Sequence, residues 1–520
     1  MSKDAPTVLP DDVALCHAMI GQLYGTVSEQ QRRLAQLEHQ LEHQLALLLR
    51  AHCGPRSEKV DPAQLALFET QPAAEELAIA PPVVEKLVRE HVCRSGRKPL
   101  PADLPRKRIE YPLPPEQLPC SCCGQQRTKF GEEVSEQLEF VPASLFVIEH
   151  VRFKYACRHC QEHVAISPKP PQPITKGIPG PGLLAAIITS KFGDHLPLYR
   201  LEDIFARHGV ELSRSTMCGW LKQTAKLLRP LHALMRRLVL QSRVIHTDDT
   251  KVPVLDPSLR HVRNSRFWVY LGDELHPHVV FDYTRSRERD GPAEFLATYE
   301  GYVQADAFSA YDGIYTGSGG KIVEVGCWAH ARRKFFDVRE QSPRLAHEAL
   351  ARVGTLYQLE RELKQLCATD WRALSRDDRW SLIAAARQEH ARPKLDALRA
   401  WLDVATQEAL PKSPIRQAIN YALNQWDALT RYCEQGYLAI DNNAAERAVR
   451  PCAIGRKNWL FCGNDGGGHT AAILFSMTAT AKRHGLDPFA WLRDVLTQLP
   501  TLPTSPSDDQ LLPLLPGQGA

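Results

Sequence analysis

The stretch Arg243-Val244-Ile245-His246-Thr247-Asp248-Asp249-Thr250 decides how the second half of this 520-residue chain is read. Residues 244–247 are a short apolar run of the kind strands favour, and the run stops at two consecutive carboxylates. Working downstream, 267–271 and 278–281 read as two further strands with turn residues between them. Residues 291–299 read as a helix, 302–305 as a strand ending at Asp306, and 322–326 as a fifth strand. Basic residues, Arg332, Arg333 and Lys334, follow the fifth strand closely.

Strand, strand, strand, helix, strand, helix, strand is the order of a ribonuclease-H-like mixed sheet. Acids in that arrangement lie at the ends of the first and fourth strands. Carboxylates gathered there repel unless a cation sits between them. Two Mg²⁺ ions, or Mn²⁺ in their place, can activate an attacking oxygen and stabilise a leaving one in phosphoryl transfer. A third acid is then wanted. It stands in Asp441-Asn442-Asn443-Ala444-Ala445-Glu446-Arg447-Ala448-Val449-Arg450-Pro451, where Asp441 or Asn442 caps a helix, Glu446 sits one turn in, and Pro451 is expected to end it. Taken singly, each acid also reads as a loop or cap residue, and Glu446 as the i+4 partner of Arg450. As a set, Asp248, Asp306 and Glu446 read as catalytic metal ligands, with Asp249 pointing elsewhere. The catalytic unit then spans 244–460, with a charged helical insertion at about 336–437. Cys327 and His330, at i and i+3, read as half a metal site without evident partners.

Upstream, 183–243 reads as helices, with Gly209 breaking the second and Ser213 or Ser215 capping the third. That is either a helix-turn-helix presenting Arg214, Thr216 and Lys222 to DNA, or an ordinary helical bundle. Residues 168–182 form a proline-rich linker. In 116–167, Cys120 and Cys123 form one CxxC and Cys157 and Cys160 another. Strand-like alternation between them allows a hairpin to gather four thiolates around Zn²⁺. Residues 51–115 read as linker, carrying the basic residues Arg97, Lys98, Arg106, Lys107 and Arg108. Such an arm either seeks phosphates or merely tethers. In 1–50, Ile20, Val27, Leu34, Leu41 and Leu48 recur every seven residues: a short coiled coil implying a homo-oligomer, or an amphipathic helix packed on its own chain. At the other end, the glycines of 463–468 read as a plain turn before a helix, 461–499 as a helical unit, and 500–520 as a disordered tail.

Composition sets the outer limits. With 43% hydrophobic and 24% charged residues the chain is a normal globular one. No long apolar run predicts a membrane helix, and the first residues carry no secretory pattern, so a cytoplasmic, nucleoid-associated protein is expected. A net charge of only +4 means that contact with a polyanion must come from local patches.

Several words of the sequence resemble the bacterial DDE transposases of the insertion sequence 66 family. They are Arg56-Ser57-Glu58-Lys59, Gly96-Arg97-Lys98-Pro99-Leu100-Pro101, the CxxC pairs, His246-Thr247-Asp248-Asp249-Thr250, Gly326-Cys327-Trp328-Ala329-His330-Ala331-Arg332-Arg333-Lys334-Phe335, the Asp-Asn-Asn stretch to Arg447, and Ile454-Gly455-Arg456-Lys457-Asn458-Trp459. The resemblance implies that Asp248, Asp306 and Glu446 are the metal-binding triad and that the four cysteines hold zinc in a DNA-binding domain. It implies cleavage at element ends and strand transfer into target DNA with Mg²⁺. Two small accessory proteins become candidate partners. Arg447, Arg450, Arg456 and Lys457 would then neutralise phosphates beside the triad. Asp249 stands where the family often has Glu. The rival readings are a non-catalytic zinc-dependent regulator of the element and a nuclease that cuts without joining.

Overall fold

The structure, a computed structural model, describes residues 170–517 except 176, 257 and 260; before them it describes only 30, 145–148, 150, 154–155 and 165–166. The heptad segment, the basic arm with Arg97, Lys98, Arg106, Lys107 and Arg108, and the cysteine tetrad lie outside the described residues. Near the tetrad, Lys154–Tyr155 pairs antiparallel with Ala165–Ile166, so the stretch holding Cys157 and Cys160 joins two paired strands.

The described part is α/β, built on one mixed five-stranded sheet. The strands are β1 (Val244–Val254), β2 (Arg263–Leu271), β3 (Val279–Thr284), β4 (Gly301–Gln304) and β5 (Ile322–Val325). Their order across the sheet is β3-β2-β1-β4-β5, with the first three antiparallel and β4 and β5 parallel to β1. α1 (Pro181–Ile188), α2 (Leu198–Arg207) and α3 (Arg214–Val239) precede the sheet. α4 (Asp290–Phe295) and α5 (Ser309–Gly317) are the crossovers. α6 (Trp328–Asp337) leads into the insertion, whose helices are α7 (Pro343–Ala368), α8 (Arg376–Ala386), α9 (Arg392–Glu408), α10 (Pro414–Asn424) and α11 (Trp426–Thr430). After them come α12 (Asn443–Trp459), α13 (Asp465–Arg483), α14 (Pro488–Gln498) and α15 (Asp508–Leu511).

Two hydrophobic cores result. One joins α1–α3, most of the sheet, α12, α13 and α14, so the helices of 183–243 and 461–499 share a core with the sheet rather than standing as separate globules. The other runs through the insertion, where Leu350, Leu356, Leu395, Leu402, Ile419 and Tyr432 are buried, and reaches Val244 of β1, Val325 of β5 and Trp328 of α6. α2, Gly209 at φ 78° and α3 give a helix, a turn and a helix capped by Ser213, which accepts the Thr216 N–H at 3.2 Å. α3 runs 26 residues through Pro230 and buries Met217, Trp220 and Leu221 in the sheet's core.

Three local expectations fail, each for a packing reason. The glycines of 466–468 lie inside α13, because Asn464 caps it by accepting the Gly467 N–H at 2.8 Å. Gly468 is required there: a Cβ would stand 2.4 Å from the Tyr283 ring. α13 also serves the edge strand β3, since Ser476 accepts the Phe281 N–H at 2.8 Å and Thr480 that of Val279 at 3.0 Å. Pro451 does not end α12, which is held at both ends: at its start by Asn442, and beyond its end by Cys462, whose N–H donates to Pro253 O at 2.8 Å. The tail expected to be disordered is ordered through Gly517, because Leu511, Leu514 and Leu515 bury in the main core. Trp491 Nε1 also donates to Leu514 O at 3.0 Å, and Arg237 pairs with Asp508.

Candidate active site

The sheet register brings the first two acids together. β1 pairs in parallel with β4 only as far as His246 opposite Gln304, and two residues further on stand Asp248 and Asp306. β1 itself runs on against β2 to Val254, so Asp248 lies within the strand, where its parallel neighbour has stopped, rather than at its end. Alternation along the strand sends Asp249 to the other face. There it is almost fully buried, 3.0 Å from Arg266 and accepting from Arg287 Nε at 3.0 Å and Nη2 at 2.8 Å.

Glu446 arrives on the first turn of α12. What holds that turn against β1 is Asn442, which is 1% exposed. Its Nδ2 donates to Thr247 O at 2.8 Å, so its Oδ1 is the acceptor that faces His246 Nδ1 at 3.2 Å. His246 therefore carries its proton on Nδ1, and burial keeps the ring neutral by lowering its pKa to about 4. The backbone N–H of Asn442 donates to Cys327 Sγ at 3.2 Å, which ties in the start of α6. Capping falls to Asp441, whose carboxylate accepts from Asn443 N at 3.1 Å. Gln304 completes the frame, donating to Gly326 O at 3.1 Å and Ala439 O at 2.7 Å.

The electrostatics are those of an anionic cluster short of positive charge. Burial pushes the Asp248 carboxyl up to about 7, aided by the charges of Asp306, Asp249 and Glu446 and opposed by one hydrogen bond from Asp249 N at 2.8 Å. Burial also raises Asp306, while His330 and Arg287 pull it back. Arg287 Nη2 lies 4.0 Å from Asp306 and its guanidinium covers the Phe308 ring at 3.6 Å. Glu446 lies 3.7 Å from His330 Nε2; it forms no ion pair with Arg450. Cys327, His330 and Glu446 bring one ligand atom each within 4.8 Å of one another, so the half site of the sequence has a third member. Burial raises the Cys327 thiol to about 12.

Among the basic candidates, Arg447, Arg450 and Lys457 are exposed on α12, and Arg332 and Arg333 lie on α6, half-buried and exposed. Arg456 is spent internally, donating to Thr250 Oγ1 at 3.1 Å and to Lys251 O. Arg214, Thr216 and Lys222 are exposed along α3, more than twenty residues before β1; Arg214 pairs with Glu202 at 3.0 Å. Sequence reasoning missed Asn442 as a clamp and Arg287 as the base between Asp249 and Asp306. No helix among the described residues is long and apolar enough to cross a membrane.

Comparison with known proteins identifies the family. The family described as Transposase IS66 matches residues 176–470, a span that contains Asp248, Asp306 and Glu446. The zinc-finger binding domain of transposase IS66 matches 118–161, a span containing all four CxxC cysteines. The transposase C of IS166 homeodomain matches 40–109, and the IS66 C-terminal element matches 476–514, which includes the ordered tail. Among similar proteins of Sinorhizobium fredii, the uncharacterized protein y4hP is 32% identical over 92% of this chain and 88% of its own. The uncharacterized protein y4qI is 33% identical over 94% of both. With a transposase match over more than half its length, and zinc-finger and C-terminal matches on either side, this chain belongs to the IS66 transposase family.

Proposed function

We propose that this protein is a DNA transposase of a bacterial insertion sequence, acting by divalent-metal-dependent phosphoryl transfer on a ribonuclease-H-like sheet. The observation that supports the reading is the register of β1 and β4, which puts Asp248 and Asp306 each two residues past the last pair, His246 and Gln304, while Asn442, bonded to Thr247 O, holds the turn that carries Glu446 against β1. The donor set fits a hard cation. It is made of carboxylates, and Asp248 is half-buried among like charges with a single N–H to satisfy it. Asp248 and Asp306 would hold Mg²⁺ or Mn²⁺ jointly and Glu446 would complete one position. Bound there, the ions would supply Lewis acidity toward the scissile phosphate.

The chain's own residues supply the rest. Asp248 is held within β1 and Glu446 on the first turn of α12 beside the Asn442 clamp, while Asp306 follows β4 by two residues. Arg447, Arg450 and Lys457 on the exposed side of α12, with Arg332 and Arg333, would take DNA phosphates; the exposed face of α3 with Arg214, Thr216 and Lys222, the basic arm and the zinc unit would contribute to recognising ends. Hydrolysis at an element end frees a 3′-hydroxyl. Its oxygen then bonds to a target phosphorus as the target strand's own 3′ oxygen leaves. Paired ends call for a homo-oligomer, for which the heptad segment is suited, and the element's two small accessory proteins are candidate partners in the cytoplasm, at the nucleoid. In the test, Asp306→Asn keeps binding to element ends and loses Mg²⁺-dependent cleavage and joining. Cleavage at the wild-type rate by that variant overturns the reading, and affinity for ends with no nicking by wild type in Mg²⁺ or Mn²⁺ favours the regulator instead.

A further inference from the structure

We propose that His330 is a direct ligand of the cation held by Glu446, making the site a mixed carboxylate–imidazole one. The inference rests on the reading of Asp248, Asp306 and Glu446 as a cation site. Its starting point is a separation that a hydrogen bond does not explain. His330 Nε2 and Glu446 Oε1 lie 3.7 Å apart, beyond the roughly 2.7–3.2 Å of an N–H···O bond. Two donors each about 2.0–2.2 Å from one ion, at angles near 90–110°, stand roughly 3.0–3.6 Å apart. The observed spacing is close to that of neighbouring ligands awaiting an ion.

Among the described residues, His330 Nδ1 is buried without a hydrogen-bond partner, and its Nε2 lies 3.7 Å from Glu446. A half-buried imidazole that satisfies neither nitrogen internally calls for an external partner. The ring is also an electrostatic neighbour of Asp306, so it sits between two members of the triad. Its backbone position is fixed, in the first turn of α6 directly after β5, and that turn is tied to Asn442 through Cys327. Cys327 is the weaker candidate, because the residue is 2% exposed, its sulfur already accepts the Asn442 N–H and burial raises its thiol.

The chemistry of the added donor has a consequence. Imidazole is a poor ligand for Mg²⁺, which prefers oxygen, and a better one for first-row transition ions, of which Mn²⁺ binds most weakly. A site carrying His330 discriminates between Mn²⁺ and Mg²⁺ more than three carboxylates would.

The test loads the full-length chain, purified with its zinc, with Mn²⁺ alone, and reads electron spin echo modulation from ¹⁴N bound directly to the ion. Asp248→Asn identifies which Mn²⁺ belongs to the triad. We expect Asp248-dependent Mn²⁺ to show imidazole ¹⁴N coupling in wild type. His330→Gln should keep Mn²⁺ bound, lose that coupling and weaken Mn²⁺ on the order of tenfold, with a smaller change for Mg²⁺. Asp248-dependent Mn²⁺ without ¹⁴N coupling, or coupling that survives His330→Gln, overturns the inference and leaves the cation site standing. Absence of any Asp248-dependent Mn²⁺ overturns both.

Discussion

Two charges withdrawn from solvent, Arg387 fully and Asp248 in part, are treated in opposite ways. In the insertion, Arg387 is 3% exposed and fully answered. Its Nε and Nη2 each donate to Glu360 at 2.8 Å, and its Nη1 donates to Tyr432 O, Gln435 O and Leu438 O at 2.8, 3.0 and 2.9 Å. In the sheet, Asp248 is half-buried with one backbone N–H and three acids around it. Its neighbour Asp249 resembles Arg387, since Arg266 and Arg287 answer it within the protein. A charge that supports the fold is paired inside the fold. A charge left unanswered where β1 loses its parallel neighbour marks a candidate site for a group that is not protein.

The comparison can be broken first at its structural end. Arg387→Ala strands the Glu360 carboxylate and three carbonyls, and should cost about 3–5 kcal/mol in urea unfolding followed by tryptophan fluorescence. A cost under about 1 kcal/mol would remove the contrast. Next comes the clamp between the two kinds of region. Asn442→Ala unpairs His246 and Thr247 O, and should cost about 1–3 kcal/mol while lowering the cleavage rate on the order of 10–100-fold with end binding unchanged. Equal loss of binding and rate would make Asn442 a plain core residue.

The functional end gives a smaller effect of opposite sign. The folded-state pKa of Asp248 is raised to about 7 from 3.8, so the folded chain holds this proton where the unfolded chain has released it. Stability without metal therefore falls as pH rises from about 4 to about 7. Asp248→Asn removes that loss, and should stabilise the metal-free chain by about 1–2 kcal/mol at pH 8 and not at all near pH 4, allowing for partial solvent access. Thermal unfolding at the two pH values checks this. The smallest effect belongs to the exposed bases: Arg447→Gln should change stability by less than about 0.5 kcal/mol and reduce the slope of log binding constant against log salt by about 1.

How much of this the sequence carried depends on the range of the interactions. The five strands are legible, because alternation and apolar runs are local, and the positions of Asp248 and Asp306 next to them follow from the same runs. Asp248 was nonetheless placed at an end, when the strand continues to Val254 along β2. Glu446 was legible from helical spacing, but the partner that positions it was not: Asn442 reads as a cap locally and bonds across 195 residues to Thr247. Arg287 is one of several charged residues in its run, and only the fold selects it to face Asp249 and Asp306. Pro451, the glycines of α13 and the Pro- and Ser-rich tail misled for one reason: packing against the sheet outweighed local propensity.

The most direct test of the central claim is the thermal unfolding of wild type and Asp248→Asn at pH 8, with and without millimolar Mg²⁺. If the carboxylates of Asp248, Asp306 and Glu446 await a cation, Mg²⁺ raises the wild-type transition temperature and leaves that of Asp248→Asn in place. An equal rise in both, or none in wild type, would contradict it.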